Sequence, residues 1–552
     1  MPETYELPKT IIIIGGALAG PVAASRAREI DGKARIILLE RNTRVSYAMA
    51  GLSFHLSGEV KNLEDLNKER EDYFQKVYNI EVYTRTEVSK IDSKNSILHL
   101  SSPDDLGELK YDKLIFATGA SSIQPTGLPK NIENFKFFRT LDDLAEIRRQ
   151  IQLGKKKITI LGGGSMGLEA LDGCVRGGAE VTLIEKANHI LPNFSEHVAV
   201  FAESILKNQV TLITQYQNMD FSLQGNRLTE VIVDNKKIPT DFIIAAIGVR
   251  PRTELLREAG VKLHKDGTVK INEYCQTNIK NIYACSICVS VPSKKGPVWT
   301  AQAAVSDKTA QIAGSNAAGL KIKLSEFSNS MILRTPSFEI GRVGLSEGTA
   351  MALYGKQKIG KAFVHASDKE SYFPGSRTMI LELLYHKKNH KVLGLDVLGS
   401  NIKSRLDAFS FAFTQGSKLE TLAHLDLSYS PAFGTSRDAL NIVATVALQK
   451  ELKLTDWIEP KEIKNNRSHF FLLDVGGEQK DNPNVDFWIP LESIRTMMPE
   501  LLQKLNQSGA KQIAVLSETG RRGHLAYLIL KDHHIPAINV SGGNRLLALY
   551  LK

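Results

Sequence analysis

The stretch Ile11-Ile12-Ile13-Ile14-Gly15-Gly16-Ala17-Leu18-Ala19-Gly20 decides the fold. Four consecutive isoleucines suit a parallel strand buried on both faces. A glycine-rich turn follows, then a helical stretch over 22–30. A second apolar run, 35–39, ends in Glu40. Strand, glycine loop, helix, strand and acid in that order make a βαβ unit shaped for a dinucleotide. The first glycine permits a tight turn, and the middle one lets the backbone approach a pyrophosphate. The last lets helix pack on strand, and the acid takes ribose hydroxyls. Gly15, Gly16, Gly20, Glu40 and the adjacent Arg41 are candidate contacts. Ala17 stands at the middle position, where glycine is usual.

The pattern recurs. Ile158-Thr159-Ile160-Leu161 leads into Gly162-Gly163-Gly164-Ser165-Met166-Gly167, a helix continues from Leu168, and Val181-Thr182-Leu183-Ile184 ends in Glu185. Gly162, Gly164, Gly167 and Glu185 complete the fingerprint. One such motif is a weak signal, whereas two in full βαβ context predict two Rossmann-like domains in an α/β protein. Glu185 would repel a 2′-phosphate, so NADH is favoured over NADPH.

The remaining composition narrows the class. The 552 residues suit three to four domains. With 42% apolar and 24% charged residues, the chain is not disordered, collagen-like or a coiled coil. A net charge of +10 over this length is mild and does not argue for nucleic acid. Cys174, Cys275, Cys285 and Cys288 are too few for a disulfide scaffold and suit a reducing compartment. The first ten residues are polar and do not read as a signal peptide. The longest apolar stretch, 11–24, is interrupted and too short to span a membrane. These features predict a soluble cytoplasmic protein. No spacing of histidines with cysteines or acids suggests a metal site.

From about residue 330 the texture changes. Runs at 331–334, 340–343, 378–384 and 391–397 predict antiparallel strands, with helices over 402–415 and 435–450. The polar stretch 457–467, with Pro460, reads as a linker. The last ninety or so residues predict a small α/β unit, with strands at 470–474 and 513–516, a loop over 517–523 and a helix from Leu525.

Two fingerprints, Ala117-Thr118-Gly119-Ala120 between them and Ile247-Gly248-Val249-Arg250-Pro251 after them resemble the pyridine nucleotide-disulfide oxidoreductases. So does Asn281-Ile282-Tyr283-Ala284. Further along come Ser371-Tyr372-Phe373-Pro374-Gly375, Ser428-Tyr429-Ser430-Pro431-Ala432-Phe433-Gly434, Leu473-Asp474-Val475, Ile489-Pro490-Leu491 and Gly520-Arg521-Arg522-Gly523. In that order the motifs resemble coenzyme A-disulfide reductases with a C-terminal rhodanese domain. The resemblance implies an FAD-binding domain over 1–119 and 241–322 and an NAD-binding domain over 120–240. It further implies an α+β dimerisation domain over 323–456 and a rhodanese-like α/β domain over 462–552. FAD and NADH are the implied cofactors, with Thr118 and Gly119 at the flavin, and a homodimer is the implied assembly. Glu169 matches a glutamate near the nicotinamide, and Tyr429 matches a tyrosine that a partner subunit brings to the thiol site.

The same resemblance exposes four departures. Ala50, in Ser46-Tyr47-Ala48-Met49-Ala50-Gly51, occupies the position of the family's redox cysteine, and a methyl group forms no mixed disulfide or persulfide. Ser517 takes the place of the rhodanese cysteine, followed by Glu518 in a loop built to face anions. Ser286-Ile287 replaces the Gly-Asp whose carboxylate bonds the ribityl chain of FAD. Losing a charge-assisted hydrogen bond costs about 1.5–3 kcal/mol, ten- to a hundredfold in affinity. The basic residues expected to meet coenzyme A are thinned to Arg26 and Arg28, with Glu29 beside them and Ser46 kept, so coenzyme A is a secondary ligand candidate. Cys285 and Cys288 form a C-x-x-C at an expected helix start, where a replacement redox pair or a pair of small core residues fits the spacing. Two functions follow. One is an FAD-dependent NADH oxidoreductase that passes electrons from flavin directly to an unidentified small-molecule acceptor. The other is a degenerate scaffold that senses nucleotide or binds a partner.

Overall fold

The five isoleucine-rich residues Thr10–Ile14 pair in parallel with Arg35–Leu39 on one side and Lys113–Phe116 on the other. Ile80–Tyr83 and Ile282–Ala284 close the edges of this five-stranded sheet. The computed structural model describes residues 8–67, 69–102, 106–129, 131–292, 296–477 and 482–551. Residues 1–7, which include most of the polar start read above, lie outside them. Helix Ala19–Ile30 lies alongside helix Ala303–Ala317. The approach requires small residues: a Cβ on Gly314 would sit 2.3 Å from the carbonyl oxygen of Ala23.

A second five-stranded parallel sheet repeats the design, in the order Thr211–Ile213, Glu180–Ile184, Lys157–Leu161, Phe242–Ala245, Phe135–Phe137. Helix Ser165–Arg176 follows its glycine loop. Both sheets belong to one unit, residues 1–188 and 210–327.

The other unit comprises residues 189–209 and 328–552. Its antiparallel sheet runs Met331–Arg334, Glu339–Gly344, Val392–Gly399, Thr378–His386, Ile359–Ser367. Leu381, Leu383, Leu395 and Val397 point into a core shared with helices Lys403–Thr414 and Ala439–Glu451. The C-terminal parallel sheet runs Trp457–Ile458, Ala537–Val540, Gln512–Leu516, Phe470–Asp474, Phe487–Trp488.

Two expectations are corrected and one strand is added. The supposed linker is structured: Trp457–Ile458 pairs in parallel with Asn539 and Val540, so the C-terminal sheet begins before residue 462. Pro460 starts helix Pro460–Asn465, a position where its missing N–H costs nothing. Residues 189–209, expected inside an uninterrupted NAD-binding domain, cluster with the second unit. Helix Glu196–Leu206 buries Val198, Ala199, Phe201, Ala202 and Leu206 there. Finally, the long strand Ile359–Ser367 was not foreseen, because Ile-Gly-Lys-Ala-Phe-Val lacks a clean alternation.

Candidate active site

The two glycine loops are built alike. Gly15 has φ +108° and Gly162 φ +100°, and a Cβ on either would lie 2.5 Å from a carbonyl oxygen, of Ala117 and Ala246 respectively. Gly20 and Gly167 press on Gly15 and Gly162 in the same way. These glycines fit the packing roles assigned from the sequence. Ala17 is half-buried in the first loop. Gly164 caps helix Ser165–Arg176, and a Cβ there would meet open space, which leaves room for a phosphate at the helix start.

Each acid closes on its own loop. Glu40 accepts the Gly16 N–H at 2.6 Å and Glu185 accepts the Gly163 N–H at 2.6 Å. The other oxygen of Glu40 accepts from Asn42, and that of Glu185 from the Ala187 N–H. Both carboxylates are thereby held against their own glycine loops. Arg41 points outward to Glu87 at 3.7 Å. Thr118 donates its hydroxyl to the Arg252 carbonyl at 2.8 Å, and the Gly119 carbonyl accepts the Arg252 N–H at 3.1 Å.

Around the first loop the structure gathers three side chains not foreseen from the sequence: Tyr47, Arg139 and Arg252. Burial pushes the Arg252 guanidinium down to about 10, with Arg41 and Arg139 repelling it further. Burial likewise lowers Arg139, against the pull of Tyr47 and Asp143. Among the described residues neither guanidinium has a hydrogen-bond or ion-pair partner. Such half-buried, unpartnered cations fit the anionic diphosphate of FAD. In the sequence they are single arginines, each just after a short strand, Phe135–Phe137 and Val249–Pro251, far apart in the chain.

The turn that departs from the family pattern, Ser286–Cys288, carries no carboxylate. Ser286 takes φ +75°, the region glycine would occupy without strain, and its N–H reaches Thr309 Oγ1. Ile287 is buried beside Gly119, and its carbonyl accepts the Trp299 indole N–H at 2.8 Å. Cys285 and Cys288 are both free and buried. Their side chains enter different cores, Cys285 with Cys275 and Cys288 with Leu114 and Val289. The expected helix start is only a three-residue 3₁₀ turn, and burial pushes the Cys288 thiol up to about 12 and that of Cys285 well above its usual range.

Glu169 lies on helix Ser165–Arg176. Burial, then the neighbouring Asp172, raises its carboxyl to about 7. Ala50 is exposed in the 3₁₀ turn Met49–Gly51, between Tyr47 and helix Leu52–Leu56. Tyr429 belongs to the other unit, where its hydroxyl donates to Glu370 at 3.2 Å. The arginines expected to meet coenzyme A are engaged. Arg26 pairs with Glu29 at 2.7 Å, and Arg28 donates to the carbonyls of Tyr78, Asp31, Gly32 and Asn79. Ser46 donates to Glu69. A cleft of about 460 Å³ nearby is lined by Thr43, Arg44, Asn67, Arg70 and Gln75.

In the C-terminal unit Ser517 is 2% exposed. Its Oγ accepts the N–H groups of Gly520 and Gly523, both at 3.1 Å. Glu518 is bound by Arg545 at 2.6 Å, so its charge is met within the unit.

Residues 9–307 match the pyridine nucleotide-disulphide oxidoreductase family and residues 335–439 match that family's dimerisation domain. An NADH oxidase of Methanocaldococcus jannaschii is 29% identical over 449 residues, 80% of this chain and 98% of the relative. An NAD(P)H sulfur oxidoreductase (CoA-dependent) of Pyrococcus abyssi is 28% identical over 451 residues, 80% of this chain and 99% of its own. The structure of an NAD-dependent persulfide reductase from A. fulgidus superimposes with a TM-score of 0.90 at 27% identity, covering 97% of this chain and 99% of the other. The chain belongs to the pyridine nucleotide-disulphide oxidoreductase family, and FAD and NADH are its cofactors.

Proposed function

We propose that this protein oxidises NADH and delivers the electrons through FAD to an external small-molecule acceptor, without a cysteine relay. The observation that carries the reading is the complete second loop, with Glu185 locked on the Gly163 N–H and Glu169 on the adjoining helix. Bound FAD supplies the group that takes hydride from NADH and returns electrons to an acceptor. This chain's part is to hold both dinucleotides and to discriminate against a 2′-phosphate through Glu185. Ala50 offers no nucleophile, and all four cysteines are buried. Relatives named as an NADH oxidase and a sulfur oxidoreductase make oxygen and sulfur compounds the first acceptors to try. Coenzyme A remains a secondary candidate at the Arg44 and Arg70 cleft. The last domain serves as a rhodanese-like binding module without sulfur transfer, and the protein works as a homodimer in the cytoplasm.

Anaerobic NADH added to the purified protein is expected to bleach a flavin absorption band, and prior alkylation of thiols is expected to leave that bleaching unchanged. A protein that stays colourless with FAD supplied would instead favour the scaffold reading, which the changes at Ala50, Ile287 and Ser517 support. Bleaching abolished by alkylation would restore a thiol relay.

A further inference from the structure

We propose that one end of the antiparallel sheet docks on a membrane surface rich in anionic phospholipid, through a cluster of lysines and the exposed leucines beside it. The backbone builds the cluster. Strand Ile359–Ser367 starts opposite the end of Thr378–His386, with Ile359 paired to His386. The turn Lys356–Lys358 before the first strand therefore meets the hairpin loop 387–391 after the second, and the Lys387 N–H donates to the Lys358 carbonyl at 2.9 Å. The same loop returns through Lys391, which bridges to Lys418, while the Leu419 N–H donates to the His390 carbonyl at 2.9 Å. Lys356, Lys358, Lys387, Lys388, Lys391 and Lys418 thus share one end of the sheet, and all but the half-buried Lys391 are exposed.

This charge is not met within the protein. Among the described residues none of the six ammonium groups forms an ion pair. The acids Glu420 and Glu451 reach the same end, but Glu420 pairs with His390 and Glu451 accepts the Tyr385 hydroxyl at 2.8 Å. Holding several like charges on one face costs free energy that an anionic surface returns.

The leucines decide what kind of anion fits. Leu353, in the last turn of helix Glu347–Tyr354, is 44% exposed, and Tyr354 beside it packs edge-on against His386 at 5.4 Å. The Tyr385 hydroxyl bond brings the end of helix Ala439–Glu451 to this region, and just beyond it Leu452 and Leu454 are 63% and 54% exposed, with the exposed Lys453 between them. Nucleic acid or an acidic protein surface would leave such leucines in water. An anionic bilayer takes both groups: headgroup charge meets the ammonium groups, and leucine side chains enter the edge of the acyl layer. Lysine is a compact point charge without the planar fork of arginine, so an all-lysine cluster suits laterally mobile headgroups better than fixed phosphates read in pairs. Docking of this kind needs no span, and among the described residues no helix is long and apolar enough to cross a membrane.

The test sediments the full-length protein with vesicles of phosphatidylcholine, alone or with about one-third phosphatidylserine. The protein is expected to sediment with the phosphatidylserine vesicles and not with phosphatidylcholine alone, and to be released at about 1 M salt, where screening is nearly complete. Lys387→Glu combined with Lys388→Glu is expected to weaken the binding by about tenfold or more. Leu452→Ser combined with Leu454→Ser is expected to weaken it less and to leave the release by salt intact. Both variants change exposed side chains, and a thermal melt matching the parent's shows that they are folded. Sedimentation that ignores phosphatidylserine or salt overturns the proposal, as does binding unchanged in the folded lysine variant. A parent that ignores both vesicles but is retained on heparin also overturns it, and makes the cluster a site for a soluble polyanion.

Discussion

Glu169 carries a carboxyl held neutral up to about pH 7 by burial and by Asp172. An acid whose folded value is raised destabilises the protein above its ordinary range, with the cost growing until the raised value is passed. Glu169→Gln is therefore expected to raise the Tm at pH 8 and leave it unchanged at pH 4, as thermal melts at the two values would show. Ser517 sits between two backbone N–H groups but is closed off from solvent. Ser517→Cys is expected to gain no sulfur transfer from thiosulfate to cyanide, because acceptor and donor cannot reach the buried side chain. The glycines and their paired acids were legible in the sequence because each answers a local backbone demand. Arg139 and Arg252 were not, since what joins them is a crevice formed by distant turns. The C-x-x-C left two readings open for the same reason: spacing does not reveal which core each thiol enters.

Helix Glu196–Leu206 gives the element scale its clearest case. Ser195 caps it, and the Ser195 N–H donates to Asp396 at 2.6 Å. His197 lies buried between Glu382 at 3.1 Å and Glu459 at 3.2 Å. Burial alone would lower this imidazole, but Glu382 and then Glu459 reverse that and raise it. Burial works against the Glu382 carboxylate too, yet His197 and Lys361 draw it down to about 2. The two contributions bracket a pH window. The His197 contribution is complete below its ordinary value and is lost as pH rises through the raised one. The Glu382 contribution is present above the ordinary carboxylate range and is lost as pH falls toward about 2. His197→Ala leaves the buried Glu382 with Lys361 at 3.8 Å as its remaining cation and is expected to cost about 3–5 kcal/mol. The urea midpoint of the second unit measures this loss, and the additional change Glu382→Gln should recover part of it. The helix was readable as an apolar run. Its membership of the second unit was not, because that depends on carboxylates that come some two hundred residues later.

At the scale of the whole molecule, the matched dimerisation domain presents aromatic side chains to solvent. Tyr372 is 72% and Phe433 78% exposed, and Tyr429 stands beside Tyr372 with its hydroxyl on Glu370. Such a group on one surface marks an interaction site. Phe433→Glu is expected to shift the protein from dimer to monomer in light scattering, with each unit keeping its own melting transition. The order of two glycine-loop sheets, an antiparallel sheet and a final parallel sheet followed from the sequence, since each has its own apolar periodicity. The junction before the final sheet did not, because two residues are too few to show any period.

That junction has a practical consequence. Trp457–Ile458 is the outermost strand of the C-terminal sheet and covers Ala537–Val540. A piece of the protein begun at residue 462 would bare the hydrogen-bonding edge of Ala537–Val540 and invite chain-to-chain stacking. One begun a few residues earlier, at Thr455, keeps that edge covered, so protease nicking ahead of the tail should be judged by which side of Trp457 it falls.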